Sequence, residues 1–157
     1  MKPYADYTLR VERLLDVCRK SGDNLPVEAY LQEIVRTGAE LTGSTGCSIL
    51  TYAEDERCLR FVAALEGEID ALRGVSVPLD RSVAGWVYRR QLGLVTSQAE
   101  MDARIHRVAD RELAQGTHAL LAVPMFFRGR CVGVMEAVNK AEDYTQEDVR
   151  AVELLAA

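Results

Sequence analysis

The sequence has few of the residues that would indicate a secreted, disulfide-linked or metal-binding protein. Among its 157 residues there are 4 cysteines, 2 histidines and 1 tryptophan, and 6% of the residues are aromatic. The cysteines form no CxxC motif and no close pair, which is typical of a protein from a reducing compartment. We therefore expect free thiols and a cytoplasmic location.

Long hydrophobic runs and an excess of basic charge are also missing. The longest apolar stretch, residues 119–127, is far shorter than the about 20 residues of a membrane-spanning helix, and Pro124 interrupts it. The N-terminus lacks the apolar core of a signal peptide. With 19 Lys and Arg against 24 Asp and Glu, the net charge is −5. Because an acidic surface repels phosphate groups, we expect neither a nucleic acid nor a membrane as a partner.

What is present is the composition of one ordinary globular domain, with 48% hydrophobic and 27% charged residues. The last residues, 149–157, follow a helical pattern that contains no Gly, Asn or Pro to end the helix. This pattern predicts a helix that continues past Ala157, and so a fragment of a longer protein.

Two helical patterns open the chain. The apolar residues between 11 and 18 have the i, i+3, i+4, i+7 spacing of one helix face, which predicts an N-terminal helix or connector over residues 1–24. This helix either packs on its own domain or pairs with the same helix of a second copy. A wider apolar stripe follows Pro26 and predicts a second helix that ends near residues 42–43.

The pattern then changes to alternation typical of strands. Four runs predict two β-hairpins: 47–53 with 58–65, and 119–127 with 130–139. Shorter strands are predicted at 74–78 and 94–96, separated by a short helix that Asp80 or Ser82 would cap. Thr145, followed three residues later by an aspartate, predicts the cap of a final helix.

Hairpins between helices at the two chain ends predict an α+β fold with a central antiparallel sheet. We expect the terminal helices on one face of the sheet and the charged, weakly periodic segment 97–116 over the other. A loop that covers a sheet leaves a pocket, and binding residues gather on such loops.

Motifs for catalysis or metal binding are missing. There is no GxSxG, P-loop, GxGxxG or HExxH motif. His106 and His118 have no carboxylate or thiol at metal-ligand spacing, so we expect them at the surface or in a pocket. The predicted hairpin places Cys47 near Ala64 rather than opposite Cys58, which favours buried structural thiols. We therefore expect a binding domain and no enzyme activity.

Three segments nevertheless resemble the GAF family: PLDRSVAGWV at 78–87, ALLAVPM at 119–125 and GVMEAVNK at 133–140. The resemblance extends over residues 26–157. It implies the GAF/PAS-like fold, with a ligand pocket on the sheet face opposite the terminal helices. GAF domains are small-molecule-sensing and dimerisation modules of signalling proteins.

For this chain, the resemblance implies a GAF domain over residues 25–157 of a bacterial signal-transduction protein. It further implies a homodimer through the terminal helices and an output domain that follows Ala157. Such output domains include histidine kinases, nucleotide cyclases, phosphodiesterases and transcriptional activators.

Within the family, the sequence is similar to the branch that binds cyclic nucleotides. That branch carries an Asn-Lys pair, a later Phe and an Asp-Glu pair. Here Asn139 and Lys140 are followed by Tyr144 and Asp148, and Val149 stands in place of the Glu. The resemblance implies that Lys140 and Asp148 form an ion pair that locks the last strand to the last helix.

The resemblance also implies a set of ligand-binding positions, with cAMP or cGMP as the expected ligand. Ser48 would contact the base, and Leu65 stands where the branch has an aromatic that stacks on the base. Losing that stacking costs about 1–3 kcal/mol. Alternatively, these residues serve only packing, and the domain is a ligand-free dimerisation module. The implied ligand-binding positions are Ser48, Leu65, Glu66, Val83, Ala84, His106, Asp110, Leu113, Thr117 and Glu136.

Overall fold

The computed structural model describes residues 27–65, 68–96 and 118–156. The predicted N-terminal helix over residues 1–24 and the segment 97–116 therefore lie outside the described residues. Within the described ranges the elements are α1 Val27–Thr42, β1 Ser44–Ala53, β2 Cys58–Ala64, α2 Ile69–Leu72, β3 Ser76–Pro78, α3 Val83–Arg90, β4 Leu94–Thr96, β5 Leu120–Phe127, β6 Arg130–Lys140 and α4 Gln146–Leu155.

The six strands form one antiparallel sheet in the order β3-β2-β1-β6-β5-β4. The two predicted hairpins, β1 with β2 and β5 with β6, are confirmed. The central contact joins β1 to β6, from Ser44 opposite Lys140 to Thr51 opposite Gly133. The predicted α+β fold is thus confirmed, with strands from the two ends of the chain at the centre of the sheet.

One face of the sheet carries α1 and α4, as the sequence predicts. Their apolar stripes and the inward residues of the central strands form a helix-side core, which includes Ile34, Ile49, Leu121, Met135 and Val152. Each of these side chains is at most 3% exposed. Burial of this apolar surface is the main force that holds the two helices on the sheet.

The opposite face carries α3. Its residues Val83 and Val87 pack with Leu50, Leu59 and Val134 in a second core. We name this side of the sheet the α3 face.

Ser82, rather than Asp80, caps α3. The side chain of Ser82 accepts a hydrogen bond from the Gly85 amide at 2.9 Å and donates one to the Pro78 carbonyl. Asp80 is exposed. Helix α2 was not predicted, because four residues, Ile69–Leu72, are too few to show a helical period.

Pairing also lengthens β1 beyond its apolar run. The strand begins at Ser44, three residues before the predicted start, because Ser44 and Gly46 pair with Lys140 and Val138 of β6. Tertiary pairing here outweighs the low strand propensity of glycine.

A glycine lets α3 approach the loop that precedes it. A Cβ atom at Gly85 would lie 2.1 Å from the carbonyl oxygen of Leu79, which is too close for any side chain. At Gly74 a Cβ would meet no atom within 4 Å.

We expect Gly85→Ala to lower the free energy of unfolding by about 1–3 kcal/mol or more, because the backbone must shift to relieve the clash. Gly74→Ala should change it by less than about 0.5 kcal/mol. Urea unfolding of both variants beside the unmodified protein measures the difference. Equal stabilities of the two variants would contradict the close approach of α3 to Leu79.

Candidate functional site

A row of four paired residues crosses the middle of the sheet. Ser48 of β1 pairs with Ala64 of β2 on one side and with Glu136 of β6 on the other, and Glu136 also pairs with Ala122 of β5. We name these four residues the central row. It brings together two of the predicted ligand-binding residues, Ser48 and Glu136.

The central row points to the α3 face. Side chains alternate along a strand, and the residues that flank Ser48 and Glu136 belong to the helix-side core. These flanking residues are Cys47, Ile49, Met135 and Ala137. Ala64 and Ala122 themselves belong to the core of the α3 face.

Two residues of the central row keep part of their surface exposed. Ala64 and Ala122 are fully buried, whereas Ser48 and Glu136 are half-buried. Since alanine extends no further than its Cβ, a carboxylate and a hydroxyl lie between two small apolar side chains. The row therefore offers one anionic acceptor and one hydroxyl that both donates and accepts, on an otherwise apolar floor.

Val83 and Ala84 begin α3 on the same face. Their side chains are each 2% exposed and belong to the core of that face, so they serve packing. Only their main-chain groups could meet a ligand. The first turn of a helix favours anions through its amides and dipole.

Leu65 is not brought to this face. It packs against the helix-side core and lines an open groove of about 500 Å³ together with four residues of α1: Ala29, Gln32, Glu33 and Arg36. A β-bulge gives the physical reason. Ile49 pairs with Ala63 and Leu50 with Phe61, so Val62 is an extra residue that shifts the alternation of β2 by one.

The remaining predicted ligand-binding residues lie outside the described residues. They are Glu66, His106, Asp110, Leu113 and Thr117.

The ion pair implied by the resemblance is present. Lys140 Nζ lies 2.5 Å from Asp148 Oδ2, with side chains that are 13% and 0% exposed. Asp148 also accepts a hydrogen bond from the Thr145 amide at 2.9 Å, and the Thr145 hydroxyl accepts one from the Asp148 amide at 3.2 Å. One buried carboxylate thus both caps α4 and binds the end of β6.

A chain of hydroxyls next to this ion pair was not predicted. The hydroxyls of Tyr144 and Ser44 lie 2.7 Å apart, as do those of Ser44 and Thr42. Thr42 donates to the carbonyl of Gly38 at 2.7 Å. Burial raises the pKa of Tyr144 to about 12. Thr42 and Ser44 give no signal in the sequence beyond their places as the last residue of α1 and the first residue of β1.

The thiols of the described cysteines, Cys47, Cys58 and Cys131, are free. Cys47 and Cys58 are buried, and Cys131 is half-buried. Burial, and after it the charge of Glu136, raises the pKa of Cys47 from 9.0 to about 12. Cys47 is thus a protonated thiol of low reactivity at neutral pH.

The described ranges hold neither a metal-binding cluster nor a membrane-length helix. Residues 27–65, 68–96 and 118–156 contain no group of three or more His, Cys, Asp or Glu side chains placed to hold a metal ion. None of the helices in these ranges is long and apolar enough to cross a bilayer.

The six-stranded sheet with α1 and α4 on one face and α3 on the other defines the class of α+β domain to which the chain belongs. The family model for the GAF domain matches residues 24–157. The chain belongs to the GAF domain family.

One curated relative is a probable 3',5'-cyclic phosphodiesterase, pde-5 of Caenorhabditis elegans, with 30% identity over 79 residues. The match covers 50% of this chain and 11% of that protein. The chain thus corresponds to a small part of this much longer relative.

Solved GAF domains share the fold at low identity. The GAF domain of an Acinetobacter phosphoenolpyruvate-protein phosphotransferase has a TM-score of 0.79 and 18% identity, covering 95% of this chain and 89% of that one. The nlh2 GAF domain of A. aeolicus in an inactive state has a TM-score of 0.79 and 14% identity, covering 97% and 93%.

We expect Lys140→Met to lower the free energy of unfolding by about 3–5 kcal/mol, because it leaves the Asp148 carboxylate buried without its cation. Lys140→Met combined with Asp148→Asn should recover part of this loss, since an amide oxygen still accepts from Thr145. Urea unfolding measures both.

Arg60→Met, which breaks an exposed pair with Glu56, is the control and should have little effect. A double variant no more stable than Lys140→Met would refute this account of the pair.

Two buried groups should make stability fall at high pH. Cys47 and Tyr144 hold their protons up to about pH 12 in the folded state, whereas their ordinary pKa values are 9.0 and 10.0. Between the ordinary pKa of each group and pH 12, the unfolded chain binds fewer protons than the folded chain. The free energy of unfolding therefore falls as the pH rises from 9 towards 12, by up to about 1.4 kcal/mol per pH unit for each group.

Tyr144→Phe should flatten the part of this decline that lies above pH 10, because it removes one of the two groups. The measurement is the urea-unfolding free energy at intervals from pH 8 to pH 11. A variant with the same slope as the unmodified protein would show that Tyr144 does not hold its proton in the folded state.

Proposed function

We propose that this GAF domain is a non-catalytic sensor that binds a small ligand over the central row and transmits its presence to a linked output domain through α4. The observation that carries the proposal is the pair formed by Ser48 and Glu136, half-buried between Ala64 and Ala122. We further propose a cyclic nucleotide, cAMP or cGMP, as the ligand.

The chemistry of the central row fits a nucleobase. A carboxylate accepts hydrogen bonds from ring N–H and exocyclic amino groups, and the serine hydroxyl adapts to either a donor or an acceptor. Hydrogen bonds to a charged group contribute more than neutral ones, so Glu136 is expected to dominate recognition.

The position of α3 supports a negatively charged second part of the ligand. Its first turn, at Val83 and Ala84, lies on the same face as the central row. An anion avoids the Glu136 carboxylate and is stabilised by helix amides, so a phosphate would bind towards α3 and the base towards Glu136. The pde-5 relative, named as a cyclic phosphodiesterase, supports a nucleotide as the first ligand to test.

The position of Leu65 lowers the affinity that we expect for a nucleotide. It lies against the helix-side core, so no base can stack on it in this arrangement. Aromatic stacking contributes about 1–3 kcal/mol per base where it occurs. We therefore expect weaker binding than in a GAF domain that stacks the base at this point.

The proposal of a regulatory role rests on the composition of the central row. Its polar side chains are Ser48 and Glu136, a hydroxyl and a carboxylate that can hold a ligand by hydrogen bonds. On the other face, α1 and α4 lie together, and Leu154 of α4 is 64% exposed. This arrangement supports a homodimer through the terminal helices, in which a ligand needs only to favour one helix arrangement over another.

We expect cAMP or cGMP to raise the thermal unfolding midpoint in proportion to the logarithm of its concentration, because it binds the folded state alone. Glu136→Gln should weaken binding about 10- to 100-fold and Ser48→Ala about 2- to 10-fold, measured by calorimetry. Glu54→Gln removes the same charge from the exposed β1–β2 turn and is the control.

Two outcomes would contradict this proposal. If neither nucleotide moves the midpoint at millimolar concentration, the nucleotide assignment is wrong, and the ligand-free dimerisation module becomes the better description. If a nucleotide binds but Glu136→Gln and Glu54→Gln have equal affinities, the central row is not its site.

A further inference from the structure

Asn139, next to the last residue of β6, has an unusual backbone and an unusual set of hydrogen bonds. Its φ angle is 61°, a left-handed conformation that asparagine tolerates better than most residues. Its side chain is buried, at 6% exposure. A buried polar side chain in a left-handed strand position needs specific partners to be stable.

Those partners are the two residues that enter β5. The Oδ1 atom of Asn139 accepts hydrogen bonds from the amides of His118 at 2.9 Å and Ala119 at 3.3 Å. The main-chain N–H of Asn139 donates to the Ala119 carbonyl at 2.8 Å. Three hydrogen bonds to one residue therefore fix the start of β5.

The residue that follows Asn139 holds α4. Lys140 pairs with Asp148, and the same Asp148 carboxylate accepts from the Thr145 amide at the start of that helix. Two consecutive residues of β6 thus hold two separate elements, through hydrogen bonds that are at least partly buried.

We infer that Asn139 is a positioning residue that couples the start of β5 to the first turn of α4, so that the two open and close as one unit. A shift at His118 and Ala119 changes the backbone of Asn139, and with it the direction in which Lys140 reaches Asp148. The use of this coupling in signalling rests on the proposed function. The coupling itself requires no ligand.

A simpler role for Asn139 would be to allow the left-handed turn alone, which glycine does at least as well. Substitutions separate the two roles. Asn139→Gly keeps the backbone freedom and removes the acceptor, whereas Asn139→Asp keeps an acceptor at nearly the same place.

The test is amide hydrogen exchange without ligand. With Asn139→Gly we expect about tenfold faster exchange at His118 and Ala119, because two hydrogen bonds are lost, together with faster exchange at Asp148 and Val149 in α4. Asn139→Asp should keep His118 and Ala119 better protected than Asn139→Gly does, because its carboxylate still accepts hydrogen bonds from both amides. Arg57→Gly, at an exposed turn where φ is 52°, is the control and should change neither region.

The unmodified protein gives a second test that needs no variant. In low concentrations of urea, the amides of Ala119 and Val149 should exchange through one opening, with the same free energy and the same urea dependence. Different urea dependences at these two amides, or acceleration confined to His118 and Ala119 in Asn139→Gly, would overturn the inference. Because neither test contains a nucleotide, its result is independent of whether the proposed ligand binds.

Discussion

The pairing of β1 with β6 is the contact on which the rest of the structure depends. It joins residues 44–51 to residues 133–140, across most of the length of the domain. Such pairing carries a large loop-closure cost that only burial of the finished core offsets. The pairing sets Ser48 beside Glu136, and it places the end of α1 and the start of α4 at one end of the helix layer. The candidate site and the helices are therefore consequences of one strand register.

The two faces of the sheet differ in the size of the side chains that they carry. On the helix side, large apolar residues such as Ile49 and Met135 are fully packed. On the α3 face, the central row has small residues beside Glu136: Ser48 on one side and Ala122 on the other. Small side chains lower the apolar area that this row buries, so the proposed ligand site comes at the expense of packing at the same positions. The hydrogen bonds of Asn139 and Lys140 lie beyond this row, at the end of β6, where they hold the start of β5 and the first turn of α4.

Sequence patterns located most of the described elements and the face that carries α1 and α4, but they missed the four-residue helix α2 and the direction of individual side chains. Alternation located both hairpins, and the capping rule located Thr145 at the start of α4, because these signals are local. Leu65 shows the limit: the family resemblance gave it a place in the ligand site, but the extra residue Val62 turns it towards α1. A bulge depends on how two strands fit together in three dimensions, and alternation within one strand does not reveal it. The hydroxyl chain through Tyr144 is likewise formed by residues distant in sequence.

The sheet is a single layer of backbone, so a charge on one face acts on groups on the other. Glu136 lies on the α3 face, yet its charge adds to burial in raising the pKa of the Cys47 thiol on the helix side. A bound group that donates hydrogen bonds to Glu136 or neutralises it would weaken that contribution. The thiol under α1 is therefore kept protonated partly by a charge that acts on it from the opposite face of the sheet.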